Sequence, residues 1–150
     1  MAEYVATVRW ERHGETFTDN RYSRGHQWEF DGGVTVPASS SPHVVKLPLS
    51  KADAVDPEEA FVASLSSCHM LFFLSFAARE GFVIDSYVDQ AIGYLEKDDR
   101  GRLVISRVVL RPKIGYAGAS PSPEQLASLH DRSHHECFIA NSVKTKVTVE

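Results

Sequence analysis

Cysteine is scarce in this sequence: 150 residues carry only two, Cys68 and Cys137. So few cysteines read as inert core residues or reactive thiols rather than as a structural disulfide. No CxxC or HExxH spacing occurs either. Cys68-His69 and His134-His135-Glu136-Cys137 gather ligand types, but neighbouring helical side chains diverge by about 100° and chelate poorly. The histidines fit better as helix-end caps or as the lining of a cleft, and no metal or other cofactor is expected. There is no GxSxG elbow for a serine hydrolase and no glycine-rich loop to cradle phosphate. A basic cluster is also missing. With 16 Lys+Arg against 20 Asp+Glu, the net charge of −4 argues against nucleic acid as a partner. The N-terminal stretch MAEYVATVRWERHGE alternates and carries charge early, unlike a secretory signal. A cytoplasmic, reducing location is therefore expected, where two cysteines stay free as inert core residues or as reactive thiols. Repeats and low-complexity tracts are absent, and the length suits one domain over residues 1–150.

What the sequence does have is one long apolar run, DPEEAFVASLSSCHMLFFLSFAA, from Asp56 to Ala78. Asp56 is a good N-cap, Pro57 fits the first helical position, and Glu58 and Glu59 place negative charge where the helix dipole favours it. That placement also accounts for the two glutamates without an acid/base role. From Ala60 to Ala78 no residue is permanently charged, and apolar side chains occupy nearly every face, so the helix is expected to be buried nearly all round. The run is long enough to cross a bilayer. Its serines, His69 and the lack of a Lys/Arg-rich flank make a core helix the better reading. So wide an apolar surface in so small a chain calls for a second copy packing against it, which predicts a homodimer and no membrane partner.

The rest of the chain alternates strands with this helix and one other. Glu3 to Glu11 has the alternation of a half-buried strand, and 12–25 reads as a loop. His26 to Val36 resumes strand character around a turn at Asp31-Gly32-Gly33, and Pro37 to Val55 is mostly irregular. Glu80-Gly81 ends the long helix. Tyr87–Glu96 and Leu103–Ile114 form a hairpin about a polar turn. Ser122-Pro123-Glu124-Gln125 is a capping box that opens a second helix, whose Leu126, His130, Ser133 and Cys137 share a face. Val143 to Val149 closes the chain as a strand. The order predicts an α+β domain.

Each cysteine thus lies on an inward face of one of two helices, and the sulfurs meet if those helices pack together. Packing as a small hydrophobe is the plainer role for each. Cys137 lies near a helix C-terminus beside Glu136, which disfavours a thiolate. Cys68 is mid-helix and desolvated, so a nucleophilic role requires a cation from elsewhere. Arg24 and Arg21 are candidates, with Glu58 to hold the arginine. A straight helix puts Glu58 about 15 Å from Cys68. Both can serve one arginine only if the helix breaks between them or one comes from a partner subunit.

Taken together, Asp56-Pro57-Glu58-Glu59 ten residues ahead of Cys68, and His134-His135-Glu136-Cys137-Phe138-Ile139-Ala140-Asn141-Ser142 before a last strand, resemble the OsmC/Ohr family of thiol-dependent hydroperoxide reductases. The likeness is firm from Asp56 to Glu150 and thinner before it. It implies an intertwined homodimer with β-sheets wrapped around two central helices per subunit. It further implies a reactive cysteine at Cys68, a resolving cysteine at Cys137, and a tuning pair of Arg24 (or Arg21) and Glu58. The implied substrate is an organic hydroperoxide, and the implied reductant a dithiol such as a lipoylated protein. Two departures stand out: the glycine-rich run before Asn-Pro-Glu-Glu is LSKADAVDPEE here, and the family's Cys-Pro is Cys137-Phe138. Leu65, Phe72, Phe73 and the 37–55 loop are expected to form an apolar pocket. The other reading of the same features is a non-catalytic dimeric binding protein with an apolar cleft for a small hydrophobe.

Overall fold

The computed structural model describes residues 1–150 and divides into two compact units, Met1–Ala60 and Phe61–Glu150. Its elements are those of an α+β protein.

In the first unit, β1 (Ala6–Arg9), β2 (His26–Phe30) and β3 (Thr35–Ala38) form an antiparallel sheet in that order. Trp28 lies opposite Val8 on one side and Val36 on the other. The β2–β3 turn closes at Gly33, whose φ of +89° suits glycine. Arg9 and Glu29 pair across β1 and β2 at 3.0 Å. The expected half-buried first strand is shorter than its alternation suggests and exposed along its whole length, with Tyr4, Val5 and Val8 uncovered. The irregular stretch after β3 is tied back by Ser39: its amide donates to the Val55 carbonyl at 3.0 Å, and its hydroxyl accepts from the Lys51 amide at 2.9 Å.

Helix α1 (Pro57–Arg79) starts at the end of this unit and runs on unbroken into the second. Asp56 caps it reciprocally. Its Oδ1 accepts from the Glu59 amide at 2.8 Å, while Glu59 Oε2 accepts from the Asp56 amide at 3.2 Å. At the other end Gly81 (φ +86°) sets the stop, with the Phe82 amide donating to the Ala77 carbonyl and the Gly81 amide to the Ala78 carbonyl.

The second unit continues with β4 (Val83–Asp89), β5 (Ile92–Lys97), β6 (Leu103–Leu110), β7 (Pro112–Ala117), α2 (Pro123–Glu136), α3 (Phe138–Asn141) and β8 (Lys146–Val149). The two long strands expected for the hairpin are each broken into two. β5 pairs with β6 near the turn and β4 with β7 beyond the break. Asp89 makes the corner: its Oδ1 accepts from the Arg111 amide at 2.6 Å and its Oδ2 from the Ser66 hydroxyl of α1 at 2.5 Å. β8 adds parallel to β6.

Only one stripe of α1 is buried, formed by Leu65, His69, Phe73 and Ala77 at successive i+4 positions. This corrects the expectation of a helix buried nearly all round, since Leu71 on another face is 61% exposed. Leu65 packs with Val108 and Leu110 of β6, and Phe73 and Ala77 pack with Leu129 of α2. α1 is long and apolar enough to span a bilayer by length and composition, yet this stripe is part of the unit's core.

Candidate active site

Each of the two main helices delivers one free cysteine. Cys68 is half-buried in the middle of α1, and Cys137, just past the end of α2, is 1% exposed. The two cysteines are near enough that Cys68 bears on the ionisation of Cys137. Cys137 both closes α2 and N-caps α3, its Sγ accepting from the Ala140 amide at 3.3 Å. The negative end of the α2 dipole is therefore answered by an amide at the same sulfur. Burial nevertheless pushes the Cys137 thiol up to about 11, and the nearby Cys68 acts in the same direction. Sequence reasoning missed α3, because four residues carry too little periodicity to read as a helix.

The apolar surroundings differ from those expected. Leu65 and Phe73 belong to the core, and residues of the 37–55 loop line cavities within the first unit. One turn beyond Cys68, Phe72 meets the exposed Phe138 edge-on at 5.2 Å. Phe72 also lines a groove of about 410 Å³ with Phe76, Arg79 and Arg132.

Arg24 and Glu58 both line a cavity of about 490 Å³ in the first unit, with Trp10, Phe17 and Tyr22. The Arg24 guanidinium lies over the Tyr22 ring at 3.6 Å and donates to the Asn20 carbonyl at 3.1 Å, to Asn20 Oδ1 at 3.0 Å and to the Tyr22 carbonyl. Arg21 is not in that wall. Because α1 is continuous, Glu58 stays ten residues, about 15 Å, from Cys68 along the helix.

His69 is the site neighbour that sequence reasoning misplaced. It neither caps a helix nor lines a cleft; it sits in the core at 1% exposure, with its Nε2 2.9 Å from His130 Nδ1. His130 stacks between His69 and Phe73. Burial lowers both imidazoles, His69 to about 4. The available signal was its position four residues from both Leu65 and Phe73 on one apolar stripe. No group of three or more potential metal ligands is clustered.

The profile of OsmC-like proteins matches residues 50–150. The chain belongs to the OsmC/Ohr family. Cys68, Cys137 and Glu58 lie inside the matched residues of this OsmC-like chain, and Arg24 lies ahead of them. An OsmC-like protein of unknown function from Vibrio cholerae is 54% identical, with a TM-score of 0.97 over 100% of this chain and 99% of that one. An organic hydroperoxide resistance protein from Elizabethkingia anophelis shares the fold at 16% identity and a TM-score of 0.70, covering 99% and 93% of the two chains. The organic hydroperoxide resistance protein OhrB of Bacillus subtilis does so at 16% and 0.64, covering 99% and 98%. Curated proteins gave no match.

Proposed function

We propose that this protein is a cysteine-based peroxidase that reduces organic hydroperoxides to alcohols as a defence against oxidative stress. The observation that carries the reading is the thiol pair. A half-exposed cysteine on one helix is near enough to a buried, protonated cysteine at the end of the other to raise its pKa. The names of the E. anophelis and B. subtilis proteins support the substrate class.

In this mechanism the Cys68 thiolate attacks the distal oxygen of the hydroperoxide. The O–O bond breaks, the alkoxide leaves and takes up a proton as the alcohol, and Cys68 becomes a sulfenic acid. Cys137 then attacks the oxidised sulfur, hydroxide leaves as water with the Cys137 proton, and a Cys68–Cys137 disulfide forms. An external dithiol, which a lipoylated protein would supply, reduces the disulfide by exchange and is itself oxidised. The high affinity of Cys137 for its proton suits the resolving role, since that thiol does not compete as first nucleophile.

Arg24, with Glu58 beside it, supplies the charge that the thiolate needs. In this reading the pair comes from the partner subunit, and the active form is a homodimer with the Arg24–Glu58 cavity of one protomer serving Cys68 of the other; the ten helical residues between Glu58 and Cys68 support it. The uncovered β1 and the exposed faces of α1 are consistent with a second copy.

The test is consumption of cumene hydroperoxide with dihydrolipoate as reductant. The parent protein turns over, and Cys68→Ser does not. Equal, slow consumption by both would favour the second reading, a non-catalytic binding protein, for which the aromatic cavity of about 490 Å³ is the supporting observation.

A further inference from the structure

The thiol chemistry proposed above does not use the buried His69–His130 pair, whose hydrogen bonding is incomplete. A single proton lies between His69 Nε2 and His130 Nδ1, 2.9 Å apart. His69 Nδ1 is buried and has no partner. If His130 were the donor, the remaining His69 proton would sit on Nδ1 as a buried, orphaned N–H. If His69 donates instead, the orphan is only a lone pair. Buried N–H groups are left without a partner more rarely than acceptors are, so His69 is the donor. His130 then carries its proton on Nε2.

That second nitrogen has no partner within the protein either. His130 is 9% exposed, and it lines a cavity of about 690 Å³ bounded by α2, β7 and β8. The walls include Ile114, Leu126 and Val147, while the carboxylates of Asp131 and Glu150 also face the space. Its volume is that of a small-molecule site, and apolar walls with a few polar groups, here including Tyr116, His130 and His134, are the usual composition of such sites. The donor calls for an oxygen acceptor on the ligand. The two carboxylates favour a neutral ligand over a carboxylate or phosphate.

We propose that this cavity binds a small neutral molecule with an apolar body and a carbonyl-type oxygen, held by the Nε2–H of His130. The site lies outside the thiol pair and does not depend on the peroxidase reading.

The neutral naphthyl ketone Prodan is a suitable probe, because its emission responds both to an apolar surrounding and to a hydrogen bond at its carbonyl. Titration into the full-length protein is expected to shift its emission to saturation at one site per chain. Ala127→Trp, which fills the cavity from an exposed lining position, is expected to weaken binding at least about tenfold without altering peroxide turnover. Nitrogen-resolved NMR of isotopically labelled histidines gives an independent reading: His130 is protonated at Nε2, and the ketone moves that signal. Absence of binding to the parent protein, undiminished binding to Ala127→Trp, or a His130 signal that stays in place would overturn the proposal. So would conversion of dimer to monomer by Ala127→Trp, which would make the cavity a contact between copies.

Discussion

At the scale of single residues, the proposed chemistry divides between two sulfurs. Cys137→Ser is expected to keep the first oxidation and lose the disulfide, so that Cys68 accumulates as sulfenic acid and then as higher oxides in excess peroxide; mass spectrometry reads the added oxygens. A mutant that still recovered its thiol without overoxidation would argue against Cys137 as the resolving residue. The histidine pair makes a second residue-scale prediction. His69 is held at about 4 against an ordinary 6.5, so the unfolded chain binds its proton first as the solution is acidified. The stabilisation from keeping it neutral is complete above 6.5 and lost as pH falls towards 4, on the order of 3 kcal/mol in all. Urea midpoints across that window should fall in the parent and fall less in His69→Gln. Parallel curves would contradict the assignment. The cysteines were legible because each lies on a recognisable helical face. The histidine pair was not: helical periodicity says where His69 points, but not which side chain of a distant helix meets it.

Among the elements, close packing and caps dominate. A Cβ on Gly93 of β5 would lie 2.5 Å from Val62 Cγ2 on α1, so that strand and helix touch through the missing side chain. Gly93→Ala is expected to cost about 1–3 kcal/mol by overpacking, measured by denaturant unfolding, with a neutral result contradicting the close approach. Both helix starts were readable from Asp56-Pro57 and Ser122-Pro123, because caps are local signals. The broken hairpin was not readable. Tyr87–Glu96 and Leu103–Ile114 look continuous in their apolar pattern, and the corner depends on Asp89 reaching both the Arg111 amide and Ser66 of α1. Ser66 is more than twenty residues away in the chain, beyond any window of periodicity.

For the whole molecule, the consequential claim is that the site is shared between protomers. The exposed apolar side chains of α1 and β1 motivated it, and an unbroken α1 gives it force. Mixing Arg24→Ala with Cys68→Ser protein under conditions that exchange subunits should restore peroxide turnover that neither variant shows alone, since one site of each hybrid is then complete. A site built within one chain would give no recovery. The central claim, however, is the redox couple itself. Its most direct test is a count of free thiols in the reduced protein before and after one equivalent of cumene hydroperoxide, beside Cys68→Ser. Rapid loss of both thiols is expected in the parent, with a Cys68–Cys137 disulfide as product, and no rapid loss in the variant. A parent protein that keeps both thiols would contradict it.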